Sequence, residues 1–373
     1  MTRPSLMVVA GEVSGDIHGG NLLADLKELA PDLQAFGVGG DRLAAAGLNC
    51  LERSETLSHM GLAEVARELP RIRRVLHLLV DESRQREPRA AVLIDSPDFN
   101  LRLARSLTRQ GIPVILYVSP QLWAWRRGRV RAIRRRAREV LCILPFEEQF
   151  YRAHGVTARF IGHPLVDDLA AEGLPAAGLE RSETRLALLP GSRVMEVKAL
   201  LPSMLEGLRA LRHTEVDDAV LLEAPGVAGV IDEVIGKVGT EKRLRRVAGA
   251  ERRQVLGSCG FAWTASGTAT LECALLDVPM IVGYRLHPAT YLAARILVRV
   301  PHVALVNLIA GTGVAPELIQ GDWTAEHLIS TTRRLMSPEA RGDQRVMLAE
   351  VRRRLGQPGA SRRAAEAVLE YLT

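Results

Sequence analysis

Short apolar runs, each followed by a turn of small residues and then by a longer stretch with one apolar face, recur from one end of the chain to the other. In the first half the runs fall at 5–10, 91–95, 114–118, 140–144 and 158–161; in the second they fall at 185–189, 219–224, 244–247, 261–265 and 279–284. Runs with so few charges read as strands buried on both faces. The stretches at 19–29, 63–86, 126–138 and 145–154, then from 194 onward, 229–238, 250–258, 289–298 and 325–336, read as crossover helices. Such alternation predicts an α/β fold whose parallel sheets are covered on both faces. It lapses over an Ala-, Gly-, Pro- and Glu-rich stretch at 171–184, which reads as a linker. The chain thus divides into a domain at 1–170, the linker, a second domain at 185–340, and a tail at 341–373 with amphipathic segments at 345–355 and 361–372.

Ligands of open parallel sheets bind beyond the carboxyl ends of the strands, so the residues after each run are the candidates for chemistry. In ASGTATLE at 265–272, Ser266, Gly267 and Thr268 supply a tight turn into a helix. The unpaired N–H groups and positive dipole end of such a helix make an anion seat. Glu272, about one turn further on, could reach a ribose; an ordinary crossover with a surface glutamate is the alternative. PGSR at 190–193 repeats the small turn and adds Arg193, able to fork onto phosphate, with Glu196 in the opening turns of the next helix. In IDSPDFN, Pro97 stops a strand and leaves Asp98 and Asn100 at its carboxyl end. GEVSGD at 11–16 reads as a glycine-bounded turn before a helix from Gly19, without the G-x-G-x-x-G fingerprint. A nucleotide on the second domain and a proton-accepting Asp98 on the first suggest a glycosyltransferase with two Rossmann-like domains facing a cleft. No D-x-D pair occurs, so helix dipoles and arginine, rather than a metal, would stabilise the leaving diphosphate. Neither a metal nor a cofactor is expected.

Composition narrows this picture. Of 373 residues, 47% are hydrophobic and 25% charged, enough for two sizeable cores, whereas 4% aromatics leave little for base stacking on nucleic acid. The four cysteines are scattered and imply neither a disulfide framework nor a zinc site. No run has the length of a signal peptide or a membrane span, so a cytoplasmic protein is expected. The net charge of +6 is carried by arginine and points to an anionic partner. Two segments concentrate it. Between 63 and 86, Arg67, Arg71, Arg73 and Arg74 accompany Leu69, Ile72, Val75, Leu76 and Leu79, and 126–138 holds eight arginines. Each reads either as a solvated helix or as a face for a phosphate-rich surface. Trp123 reads as core and His163 as structural.

GEVSGD, IDSPDFN, YVSPQLWAW, FIGHP, LLPGSR, ASGTATLE, PMIVGYR and VNLIAG, in that order, resemble the lipid-A-disaccharide synthase family, and together they span most of the chain. The resemblance implies an inverting GT-B enzyme, peripheral on the inner membrane. It would join UDP-2,3-diacylglucosamine to 2,3-diacylglucosamine 1-phosphate, giving a β-1,6 disaccharide and UDP. It also implies a last helix returning to the N-terminal domain, and a homodimer with exchanged C-terminal parts has precedent there. By position, Asp98 matches the base; Arg193, Glu196, Ser266, Gly267, Thr268, Glu272 and Asn307 match the surroundings of UDP. Gly11, Glu12 and Asp16 would shape the acceptor side, while Met60, Leu62, Val65 and Ile72 would meet acyl chains or bilayer. The chain departs from the family pattern at Val306, where proline is common, and at Thr312, where a charge is common. The rival readings are a UDP-sugar epimerase and a non-catalytic basic protein docking through 126–138.

Overall fold

Residues 5–10 form strand β1 (Ser5–Ala10), with Met7 and Val9 in one apolar core and Leu6, Val8 and Ala10 in another. A strand buried on both faces needs helices above and below it. The computed structural model, which describes residues 4–54, 65–124, 127–174, 180–297 and 300–372, supplies them. β2 (Gln34–Gly39), β3 (Asn49–Arg53), β4 (Ala90–Ile94), β5 (Val114–Tyr117), β6 (Glu139–Cys142) and β7 (Ala158–Phe160) complete a parallel sheet. Among the described residues its order is β3-β2-β1-β4-β5-β6-β7. Helices Val65–Arg86, Pro97–Arg109, Val130–Arg136 and Pro145–Ala153 cover one face; Val13–Leu29 and Ala360–Leu369 cover the other.

A second parallel sheet follows: β8 (Ser182–Leu189), β9 (Asp218–Leu222), β10 (Leu244–Val247), β11 (Cys259–Ala265), β12 (Met280–Tyr284) and β13 (Glu317–Ile319), in the order β10-β9-β8-β11-β12-β13. Helices Val194–Ala210, Ala228–Val238 and Ala325–Leu335 bury Leu200, Met204, Ile231 and Leu328 against one face, with Trp263 and Trp323 fully inside. The two sheets define two units, Met1–Asp167 with Leu355–Thr373, and Asp168–Arg354. Two Rossmann-like halves are therefore the architecture, as the alternation predicts.

Three details differ from the sequence reading. The first helix begins at Val13 rather than after residue 18. Its glycines mark close packing: a Cβ on Gly19 would stand 2.8 Å from Ile94 Cδ1, and one on Gly20 would stand 2.9 Å from Arg42 Cβ. The tail changes units at Leu355, not near residue 341. Helix Pro338–Leu355 stays with the second unit because the Gln344 carboxamide bonds Met280 N, Met280 O and Val314 O, while Arg352 holds Ala274 O and Asp277. Helix Ala360–Leu369 then packs on Val13–Leu29 in the first unit. Finally, Ile72 is 7% exposed and belongs to the core with Val75 and Leu79, so it does not face lipid. Met60 and Leu62 lie outside the described residues, as does the side chain of Val65. No described helix is long and apolar enough to cross a membrane.

The returning helix is held at its start by one carboxylate. Asp167 Oδ1 accepts from Gly359 N (2.6 Å) and Ala360 N (3.2 Å), and Oδ2 accepts from Ser361 N (3.1 Å). Asp167→Ala should cost about 1–2 kcal/mol, the usual worth of a cap. Hydrogen exchange would show it as faster amide exchange in 360–369 with the second unit unchanged; equal protection in both proteins would mean the cap contributes nothing.

Candidate active site

In the first sheet β1 and β4 lie side by side, but the chain leaves β1 toward β2 and leaves β4 toward β5. Loops that diverge in this way leave a crevice at the carboxyl ends. The register Ala10↔Ile94 sets the turn at Gly11 and Glu12 beside 95–98. The second sheet repeats the arrangement at β8 and β11, where Leu189↔Thr264 sets 190–193 beside 266–268. Within each unit, then, motifs distant in sequence stand at the strand-order switch.

In the second unit Gly267 has φ +142°, a conformation that favours glycine, and a Cβ built there would meet nothing within 4 Å. Thr268, exposed, opens helix Thr268–Leu275, and the Ser266 hydroxyl donates to Val303 O at 2.9 Å. Arg193 is exposed and donates through Nη1 to Glu196 Oε1 at 2.7 Å. Glu196 is a turn former: its Oε2 accepts from Ser192 N (3.0 Å) and Arg193 N (3.3 Å), and it occupies the space a side chain on Gly191 would need.

Other expected ligand contacts are turned inward. Both Glu272 oxygens are engaged, Oε2 by Arg252 at 2.8 Å and Oε1 by Arg253 at 3.0 Å; Arg253 also holds Glu172. Its carboxylate is therefore a buried ionic hub rather than an open ribose contact. Asn307 is 1% exposed with its amide saturated. Its Nδ2 donates to Ala315 O and Glu317 Oε1, and its Oδ1 accepts from Val314 N and Ala315 N. With two donors and two acceptor sites used, Asn307 has no capacity left for UDP. Glu317, which the motif reading passed over, also accepts from Val303 N and Ala304 N and so fixes the segment that meets Ser266.

In the first unit Asp98 sits in the first turn of helix Pro97–Arg109, its side chain 68% exposed, 2.7 Å from the Arg129 guanidinium. Asp95 (φ +52°) and Ser96 (φ +39°) precede it in left-handed conformations, which cost non-glycine residues about 1–3 kcal/mol each. Gly11 is buried, and Glu12 is exposed at the start of helix Val13–Leu29. Asp16 is turned away from ligand: its carboxylate accepts from Gly40 N (2.6 Å), Arg42 N (3.0 Å) and Leu43 N (3.1 Å), capping helix Asp41–Ala45. His163 is buried and pushed down to about 3 by desolvation and by nearby His18; its Nδ1 accepts from Leu165 N, so the ring is neutral and structural.

The family model for lipid-A-disaccharide synthetase matches residues 6–371. The chain belongs to that family. It is 45% identical to the lipid-A-disaccharide synthase of Anaeromyxobacter dehalogenans, over 98% of this chain and 96% of that protein. It is 44% identical to the enzyme of the same name from Myxococcus xanthus, over 99% and 98%. Among solved structures, UDP-GlcNAc 2-epimerase from Neisseria meningitidis bound to UDP-GlcNAc superposes with a TM-score of 0.66 at 12% identity, covering 98% of this chain and 100% of that one. Acinetobacter baumannii MurG does so at 0.60 and 14%, covering 99% and 100%. These distant likenesses support the two-Rossmann fold; family membership supports a glycosyltransferase.

Within the family motif YVSPQLWAW, the described part of the loop is anchored from below. Glu147, 1% exposed, accepts at Oε1 from Ser119 Oγ (2.7 Å) and Trp123 Nε1 (3.0 Å), and at Oε2 from Leu144 N (3.2 Å). Tyr151 donates to Pro120 O, and Trp123 is core, edge-on to Phe146 at 4.9 Å; Trp125 lies outside the described residues. Burial pushes the Glu147 carboxyl from 4.5 up to about 7, against the hydrogen bonds it accepts. Between those values the folded chain keeps a proton that the unfolded chain has lost. Stability therefore falls as pH rises through that window, and the full penalty applies above it. Between about pH 5 and about pH 8 the native chain should lose on the order of 2–3 kcal/mol more stability than Glu147→Gln. Denaturant midpoints across that range would test this; parallel curves would mean that Glu147 is ionised throughout.

Proposed function

We propose that this chain transfers 2,3-diacylglucosamine from UDP-2,3-diacylglucosamine to the 6-hydroxyl of 2,3-diacylglucosamine 1-phosphate with inversion, forming the β-1,6 lipid A disaccharide 1-phosphate and UDP. The observation that carries this reading is the exposed Asp98 carboxylate at the strand-order switch of the first sheet, in a chain that matches the family model from residue 6 to 371. The UDP-sugar bound by the Neisseria meningitidis epimerase of the same fold supports a UDP-sugar donor.

Asp98 accepts the proton of the acceptor hydroxyl as its oxygen attacks the anomeric carbon opposite UDP, and the bond from that carbon to the diphosphate breaks. Charge gathering on UDP is met by the N–H groups of Gly267 and Thr268 and by Arg193, whose guanidinium keeps donors beyond the one spent on Glu196. Those groups take the place of a metal. Glu196 supports Arg193; Glu272 and Asn307 hold the seat from behind. Gly11 and Glu12 shape the acceptor side, while Asp16 caps helix Asp41–Ala45. An exchanged dimer would place the same C-terminal helix, from a second copy, under the Asp167 cap.

Peripheral attachment to the anionic inner-membrane surface would use a face of arginines. Arg102, Arg105 and Arg109 on helix Pro97–Arg109 and Arg131, Arg134 and Arg135 on helix Val130–Arg136 are all exposed. Burial and the neighbouring Arg105, Arg135 and Arg109 lower the Arg136 pKa, so positive charge is crowded there. Replacing Arg131, Arg134 and Arg135 by Gln should weaken binding to anionic vesicles about 100-fold, at roughly 1 kcal/mol per arginine. Co-sedimentation at low and high salt would check it, and undiminished binding would move the membrane contact elsewhere.

The reaction itself is tested by turnover of both lipids in the presence of EDTA. Native protein should form disaccharide, and Asp98→Ala should lose about 10²–10⁴-fold in kcat while binding UDP normally. Equal turnover by both proteins would remove Asp98 as base; isomerised sugar without disaccharide would replace the transferase with an epimerase.

A further inference from the structure

We propose that Asn100 is a positioning residue for Asp98, locking the left-handed turn that sets where the carboxylate stands; this rests on the reading of Asp98 as base. Asn100 is 1% exposed in helix Pro97–Arg109. Its Nδ2 donates to Ile94 O at 3.1 Å and to Asp95 O at 2.5 Å, the last carbonyl of β4 and the first of the turn. Its main-chain N–H donates to Ser96 O at 3.0 Å. One residue thus gathers three successive carbonyls, those of residues 94, 95 and 96.

The rest of the turn is braced from other elements. Asp95 N donates to Tyr117 O at 3.2 Å, tying it to the end of β5. The Asp95 carboxylate accepts from Ser96 N at 3.1 Å and from Ser14 Oγ at 3.3 Å, the latter reaching over from helix Val13–Leu29. Two consecutive non-glycine residues in the left-handed region persist only where their surroundings over-determine them. Relaxation of either toward ordinary backbone would redirect the first turn of helix Pro97–Arg109 and carry Asp98 with it.

The two ends of the carboxamide fare differently. Among the described residues, Asn100 Oδ1 is buried with no hydrogen-bond donor. An orphaned buried acceptor is a standing cost, which the two N–H donations of the same carboxamide offset. An aspartate there would set its oxygens against two carbonyls, and an alanine would leave both without a donor.

The test is a double-mutant cycle. Asn100→Ala and Asn100→Asp should each lower kcat about 10–100-fold, the effect of misplacing a reacting group by a fraction of an ångström to an ångström. KM for both lipids and UDP affinity by calorimetry should stay unchanged. In an Asp98→Ala background, Asn100→Ala should add less than about twofold, since the two act as one unit. The same kcat loss in both backgrounds would overturn the positioning role, as would unchanged kcat with a lowered melting temperature. Full turnover by Asp98→Ala would remove the base and this role together, whereas equal Asn100 factors on a slow Asp98→Ala enzyme would remove this role alone. Should the Asn100 variants not fold, Ser14→Ala carries the same cycle, expected at about 2–5-fold in kcat for loss of one exposed bond and silent without Asp98.

Discussion

Carboxylates bonded to main-chain N–H groups hold the turns on which the candidate site depends. Asp16 takes three N–H groups around residue 40, Glu196 takes two at 192–193, and Glu317 takes two at 303–304. Asp167 takes three more at the start of the last helix. Each strand of a parallel sheet hands the chain to a helix whose first N–H groups lack partners. A carboxylate satisfies several of them at once with charge-assisted bonds. The cost is that these acids are no longer available to a ligand. Polar residues clustered at the strand ends therefore divide into those that build the turns and those, such as Asp98 and Arg193, that stand outside them.

Sheet topology decides which turns meet. Both units place the first strand beside the fourth in chain order, and only there do the loops diverge. Glycines serve that geometry in two ways: Gly267 keeps a surface open, and Gly191 yields its space to Glu196. The left-handed pair Asp95 and Ser96 does by strain and hydrogen bonds what glycine does elsewhere, and holds a side chain still as well.

The arginine excess also divides. Arg252 and Arg253 neutralise Glu272 inside the second unit, Arg352 ties helix Pro338–Leu355 to Asp277, and Arg243 bonds the carbonyls of Leu208, Leu211 and Val216. The exposed arginines of helices Pro97–Arg109 and Val130–Arg136 have no comparable internal use. These two helices therefore crowd positive charge onto the sheet face of the first unit that they cover.

Hydrophobic periodicity alone determined the two-sheet α/β plan, because strands buried on both faces must be uniformly apolar whatever packs on them. It also placed the turns at 190–193 and 266–268 and left Asp98 at a strand end, since small residues and Pro97 act locally. β2 and β3 were less legible, the first because glycines interrupt its apolar run and the second because it is a half-buried edge strand. Helix Val13–Leu29 was misplaced at its start because Gly19 and Gly20 signal close contact with Ile94 and Arg42, residues distant in sequence. The inward roles of Asp16, Glu196, Glu272 and Asn307, the burial of Ile72, and the bracing of Asp98 by Asn100 were decided only in three dimensions. A motif fixes which groups reach a turn; hydrogen-bond partners brought from other elements decide whether those groups remain free to meet a ligand.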